Sequence, residues 1–243
     1  MKIHMYGIVW NETKMLPFFF RHYDQIVERY FLFDDGSTDG TREMLTAHPR
    51  VSLRELNIQD DSVCGTARTI KSEAWKESRT TADLVLVCDV DELLWHPCLH
   101  EYLQSAIEEG VTFFCPSGWN MVSEVFPQSE GHIYEQVRHG FRTTAFDKKV
   151  LFNPQMINEI NYTPGCHTCQ PEGEIVRRED PQLKLLHFKY LGVPYVTERY
   201  AALNAKLRGH DRTQKWGEQY GMNETEVARM FAAFQPIDAF AEG

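Results

Sequence analysis

The chain has 243 residues, 42% hydrophobic and 25% charged, which suits a globular domain with a sizeable core and excludes a disordered, collagen-like or coiled-coil chain. Thirty-five acidic residues against 25 Lys and Arg leave a formal net charge of -10, which speaks against a broad electrostatic grip on nucleic acid or anionic lipid. An anionic ligand must be held locally, by backbone N–H groups, a few cations or a metal.

Ile3 to Trp10 is apolar and aromatic and reads as a buried strand that delivers the polar loop Asn11-Glu12-Thr13. A helix is predicted over Lys14 to Tyr23, with Pro17 in its first turn. Tyr30 to Phe33 reads as a second strand, ended by the run Asp34-Asp35-Gly36-Ser37-Thr38-Asp39-Gly40-Thr41. A strand over Val51 to Leu56, a helix over Thr66 to Ser78 and an aliphatic strand over Leu84 to Cys88 follow. Strands alternating with helices imply right-handed crossovers and a mostly parallel sheet.

The later chain is less regular. A helix over Pro97 to Glu109 and a strand over Val111 to Cys115 are expected, then an aromatic, Gly- and Pro-punctuated stretch to Pro181 with strands near His132 to Val137 and Lys149 to Phe152. Such a stretch suits a substrate-binding face. Leu183 to Phe188 reads as a strand and Val196 to Leu207 as a helix; a last helix, Asn223 to Phe234, opens with the capping-box pair Asn223 and Glu226. No run approaches the ~20 apolar residues that span a bilayer, and Met1 to Trp10 lacks the apolar run of a secretory signal. The expectation is a cytoplasmic chain, peripheral at most at the inner membrane face, without stable membrane insertion. Its six cysteines, dispersed through a large domain, are expected as free thiols.

Two acidic loops carry the chemistry. Asp34 and Asp35, with two glycines close behind, stand at the carboxyl end of a strand, where open α/β sheets bind ligands. Carboxylates there can accept from a base N–H or ribose hydroxyls, although Asp, Gly and Ser also build ordinary tight turns. An EF-hand reading fails because Thr46 stands where the bidentate Glu is needed. The second loop is Asp89-Val90-Asp91-Glu92 after the aliphatic strand. Acids at i and i+2 share one side of an extended backbone, so Asp89 and Asp91 can converge on a hard divalent cation. Leu93 replaces the Thr that an aspartate-phosphatase pattern requires. Cys166-His167-Thr168-Cys169 has half of a zinc site and no second pair to complete it.

Taken together, Ile8 to Glu12, Phe33 to Thr41 and Val87 to Glu92 resemble family 2-like glycosyltransferases of the GT-A fold, strongly over residues 3 to 95 and weakly beyond. The resemblance implies an α/β fold with a Rossmann-like, mostly parallel central sheet flanked by helices and a smaller acceptor-side region. It makes residues 1–243 a single domain, with a nucleotide-sugar half over 1–95 and an acceptor half over 96–243. The implied activity is metal-dependent transfer of a sugar from a nucleoside diphosphate-sugar, uridine type favoured, to a hydroxyl of a glycan, lipid-linked or protein acceptor, with Mn²⁺ or Mg²⁺ as cofactor.

Carried over by position, Asp35 faces the base, with Trp10, Asn11, Glu12 and Asp34 around it. Asp89 and Val90 lie near ribose and metal, and Asp91 ligates the metal and takes part in catalysis. Arg68 and Lys71, within one helical turn, could meet the diphosphate or be ordinary surface charges. His187 is the first candidate for a further metal ligand and His167 the second; both could equally be packed histidines. No clear Glu-Asp pair marks a general base; Glu124, Asp147 and Glu172 are candidates, of which Glu124, after the sugar-binding-like Gly118-Trp119-Asn120-Met121, is preferred. A non-catalytic nucleotide-sugar-binding module and a nucleotidyltransferase on a similar sheet are the alternatives.

Overall fold

The computed structural model describes residues 1–241. In chain order it runs β1 (Ile3–Val9), α1 (Leu16–Tyr23), β2 (Val27–Asp34), α2 (Thr41–Ala47), β3 (Val51–Glu55), α3 (Val63–Glu73), β4 (Leu84–Val87), β5 (Glu92–Trp95) and α4 (Leu99–Glu108). The second half continues with β6 (Phe113–Ser123), α5 (Ile133–Gln136), β7 (His139–Arg142), β8 (Leu151–Phe152), β9 (Ile157–Glu159), β10 (Glu172–Gly173), β11 (Arg177–Leu191), α6 (Val193–Lys206), α7 (Gly209–Thr213), α8 (Glu224–Ala233) and β12 (Ile237–Asp238). A 3₁₀ turn, Ala74–Ser78, extends α3, and another covers Pro164–Cys166.

One sheet dominates, in the order β12-β7-β6-β8-β4-β1-β2-β3. β3, β2, β1 and β4 are mutually parallel, as alternating strands and helices require. β8 lies antiparallel between β4 and β6, and β11 pairs parallel to β6 and antiparallel to β5. The central strand β4 is fully buried and β1 is buried at all but Ile8, as expected of parallel strands covered on both faces. On one face α1 packs Leu16, Phe18, Phe19 and Tyr23 against the sheet; on the other, Trp75 and Phe152 anchor a second core.

The sequence reading and the structure differ in instructive places. His132 to Val137 is a helical turn, α5, not a strand, because its alternation is too short to separate the two periods. α3 starts earlier than Thr66, at Val63, because the Ser62 hydroxyl accepts the Gly65 N–H and caps it. β6 and β11 are far longer than their apolar cores suggest, since pairing with each other carries both into polar sequence. β5 escaped notice altogether. It is pinned by α1, whose Tyr23 hydroxyl donates to the Glu92 carbonyl and accepts from Leu94 N–H at 2.9 and 2.8 Å. All six cysteines are unpaired, and no helix among the described residues is long and apolar enough to cross a membrane.

A candidate nucleotide cleft at the carboxyl edge of the sheet

β1, β2 and β4 all end at one edge, and the loops that follow them open onto a cleft of about 360 Å³. Close approach of β1 to the loop after β4 depends on a glycine: a Cβ on Gly7 would come within 2.8 Å of the Cys88 carbonyl, one residue before Asp89. Of the residues singled out in sequence, Trp10, Glu12, Asp35, Arg68, Lys71, Asp89, Val90, Asp91, His167 and His187 all line this cleft.

Asn11 and Asp34 build its wall instead. The Asp34 carboxylate is buried, accepts the Ser37 N–H three residues on at 3.1 Å and pairs with Arg42, the local side-chain-to-backbone bonding that such a run favours. Asn11, in a left-handed conformation, accepts the Thr38 N–H through Oδ1 at 2.8 Å and ties the loop after β1 to the loop after β2. Glu124 is exposed and does not line the cleft.

Each carboxylate in the cleft has a basic partner. Asp35 meets Lys206 of α6 at 2.6 Å, and the Lys206 ammonium lies 4.3 Å from the centre of the Trp10 ring. Glu12 is paired with Arg199, whose guanidinium also donates to the Trp10 carbonyl at 2.9 Å. Burial pushes the Glu12 carboxyl up to about 8, against the pull of Arg199 and with the help of Asp91 and Asp89. Asp89 receives Lys71 at 2.5 Å; burial opposes the Lys71 charge, but Asp89 and its neighbours overcome that and hold the ammonium above its ordinary range. Glu92 is buried and paired with Lys148 at 2.6 Å, and it accepts the Asp89 N–H at 3.2 Å. Burial disfavours its charge too, and Lys148 and Lys71 more than offset this, so its carboxyl lies below the ordinary range.

Asp91 and His187 form the remaining pair. The β5–β11 register sets Glu92 opposite His187, which brings His187 Nε2 to 3.4 Å from the Asp91 carboxylate. His187 stacks on Phe146 at 4.2 Å, and its Nδ1 donates to Asn120 Oδ1 at 3.0 Å. With Nδ1 as donor, the other nitrogen of a neutral ring turns a lone pair toward a carboxylate, an arrangement that calls for a proton or a cation between them. Ligand-capable atoms of Asp91, Glu92 and His187 lie within 4.8 Å of one another. Asp89, His167 and the cysteines stand outside that cluster among the described residues. Phe146 and Lys148 are fixed from below: Asp147 accepts the Gly118 N–H at 2.7 Å and pairs with Arg142, and any Cβ on Gly118 would collide with the Phe146 carbonyl.

Sequence reasoning missed Lys148, Arg199 and Lys206. The last two had a signal, since Tyr195, Arg199, Leu203 and Lys206 recur at helical spacing and all face the cleft from α6. Lys148 had none, for it lies in an irregular segment whose path only tertiary packing decides.

A mostly parallel sheet flanked by helices, with a charged cleft where β1, β2 and β4 end, is a GT-A, Rossmann-like fold. Comparison with solved structures agrees: S. aureus TarS matches with TM-score 0.50 and 11% identity over 85% of this chain and 39% of that one. S. aureus TarS 1–349 in complex with UDP matches with TM-score 0.50 and 10% identity over 96% of this chain and 70% of that one. This chain thus spans less than half the length of the first of these structures, and at such identities the likeness is one of fold. No protein-family model and no curated protein matches the sequence.

Proposed function

We propose that the chain is a glycosyltransferase that moves a sugar from a uridine-type nucleoside diphosphate-sugar to an acceptor hydroxyl. The observation that carries this reading is one cleft with Asp35 and Trp10 at one end and Asp91 with His187 at the other. The UDP bound to TarS, a protein of similar fold, supports the choice of base.

In this reading the base lies against Trp10 and donates its N–H to Asp35, displacing Lys206 from that carboxylate toward the phosphates. Arg68, exposed at the cleft mouth, and Lys71 lie along the path to the metal end and hold the diphosphate oxygens. The two oxygen donors and one imidazole of Asp91, Glu92 and His187 suit Mn²⁺ or Mg²⁺. A cation there would draw charge from the departing diphosphate. Lys148 keeps Glu92 ionised, and Asn120 holds the His187 tautomer whose Nε2 can ligate.

Thermal unfolding with uridine, guanosine, thymidine, adenosine and cytidine diphosphates, each with and without Mn²⁺, tests the reading. Ligand at a hundred times its Kd adds about 2.7 kcal/mol, or roughly 5 to 11 °C at this size. The expected result is a shift for UDP that needs metal and is lost in Asp91→Ala, each shift being read against the unliganded midpoint of the same variant, which still unfolds cooperatively. Metal-dependent binding that survives in Asp91→Ala would remove the metal assignment. Product analysis then separates transfer from the two alternatives: a binding module yields no product, and a nucleotidyltransferase releases pyrophosphate.

A further inference from the structure

A transferase that inverts its sugar needs a group to take the acceptor's proton. The five carboxylates of the cleft are engaged, and Glu124 lies outside it. Among the described residues, Lys189, whose ammonium lies over the Tyr190 and Tyr200 rings, and His167 are the bases that line the cleft without a carboxylate partner, and of the two only the imidazole is positioned by a hydrogen bond. His167 follows the 3₁₀ turn Pro164–Cys166, and its Nδ1 donates to the Ala145 carbonyl at 2.8 Å. That bond selects the tautomer with a lone pair on Nε2. The ring is exposed, lines the cleft, and lies 6.0 Å from Phe146, the same ring on which His187 stacks.

The backbone is built to put it there. Gly165 and Cys166 are both left-handed, with φ of +77° and +56°, and a non-glycine residue adopts that conformation only where its surroundings impose it. The imposing contacts are Cys166 N–H to the Thr163 carbonyl at 2.8 Å and Thr163 N–H to the Thr168 carbonyl at 3.0 Å. A Cβ on Gly165 would come within 2.8 Å of the His167 ring, so the ring lies where it does because residue 165 has no side chain.

We propose that His167 Nε2 is the general base that takes the proton of the acceptor hydroxyl, an inference that rests on the transferase reading above. As the acceptor oxygen bonds to the anomeric carbon, the bond from that carbon to the diphosphate breaks and its electron pair leaves on the nucleotide. The hydroxyl proton passes to Nε2 and from the imidazolium to solvent. The imidazole stays available as an acceptor because partial desolvation on its cleft side, with Lys148 nearby, lowers its pKa below the ordinary histidine value, against the hydrogen bond to Ala145, although the residue as a whole is exposed. Glu92 pulls the other way and His187 adds to the lowering, while Lys71 of α3 faces the adjoining Cys166.

The test follows UDP release from UDP-glucose and UDP-N-acetylglucosamine by the full chain, with water as acceptor and Mn²⁺ present. For His167→Ala and His167→Gln the expected loss in kcat is about 10²- to 10⁴-fold, with the Kd for UDP within about twofold of wild type. Added imidazole restores turnover to His167→Ala, and the acid limb of the kcat/KM profile disappears in both variants. Gly165→Ala, which moves the ring without removing it, lowers kcat and leaves UDP binding intact. Active wild type with variants that keep its rate, or that lose UDP binding along with rate, overturns the base assignment alone. A wild-type chain that binds UDP and releases none from either sugar overturns the transferase reading, and the base assignment falls with it. Nitrogen-15 imidazole shifts that place the proton on Nε2 of His167 overturn the tautomer whatever the turnover.

Discussion

Lys206 spends its charge on Asp35, and this local neutralisation is what lets an acidic chain offer a cleft to an anion. The same holds along the cleft for Glu12, Asp89 and Glu92, each matched by a Lys or Arg, and leaves Asp91 with His187 as the one acid there, among the described residues, without such a cation. Asp35→Ala is expected to weaken UDP binding about 10- to 100-fold, the roughly 1.5 to 3 kcal/mol of a charged hydrogen bond. Titration calorimetry against UDP and GDP checks it, and an equal loss for both bases would mean that Asp35 does not read the base. At this scale the sequence was informative where an acid followed a strand. Asp35, Asp89 and Asp91 could be singled out because the carboxyl ends of parallel strands converge. Asp34 and Asn11 could not be told from them, since the same residue types serve as turn-formers and as ligands.

At the scale of elements, α3 depends on a residue far away in sequence. Asp211 of α7 is buried and accepts from the Ser62 hydroxyl at 2.6 Å and from the Val63 N–H at 3.0 Å, so it satisfies donors at the start of α3 that no helix can satisfy itself. Burial opposes its ionisation, but the Ser62 hydroxyl and the backbone N–H groups prevail and hold its carboxyl below the usual range. A folded-state value below the unfolded one means stability that is fully present above about pH 4 and lost as pH falls through the folded-state value. Asp211→Asn is therefore expected to cost about 1 to 3 kcal/mol at neutral pH, with the gap to wild type narrowing below about pH 4. Denaturant titrations from neutral to acid pH measure it, and a gap that widens in acid would contradict the role. α3 itself was legible from its periodicity; its clamp was not, because nothing local in residues 61–64 points to residue 211. β5 was hidden for a similar reason, being short and defined mainly by its pairing with β11.

For the whole molecule, six unpaired thiols report on packing. Cys98 is exposed, whereas burial pushes Cys64 and Cys169 up to about 11 and raises Cys88, Cys115 and Cys166 as well. Alkylation at pH 8 should mark Cys98 first and leave the others until the chain unfolds, because the thiolate is the reactive form. Mass spectrometry of timed aliquots reads this, and early labelling of Cys88 would mean that the core around α1 opens. Fold class was legible through the first ninety-five residues, where the buried parallel strands and the helices α1 and α3 announce themselves by period, although the short α2 and β5 do not. It faded beyond, because β6 and β11 owe their length to pairing across more than sixty intervening residues rather than to their own composition.

α6 has a consequence for when the cleft is complete. The strands that aim Glu12 and Asp35 precede by more than a hundred and fifty residues the helix that brings Arg199 and Lys206 to them. Any opening that lifts α6 away leaves those two acids without their cations. The cleft then repels an anion that it can accept once the helix is docked, so the packing of one helix sets the sign of the field in the cleft.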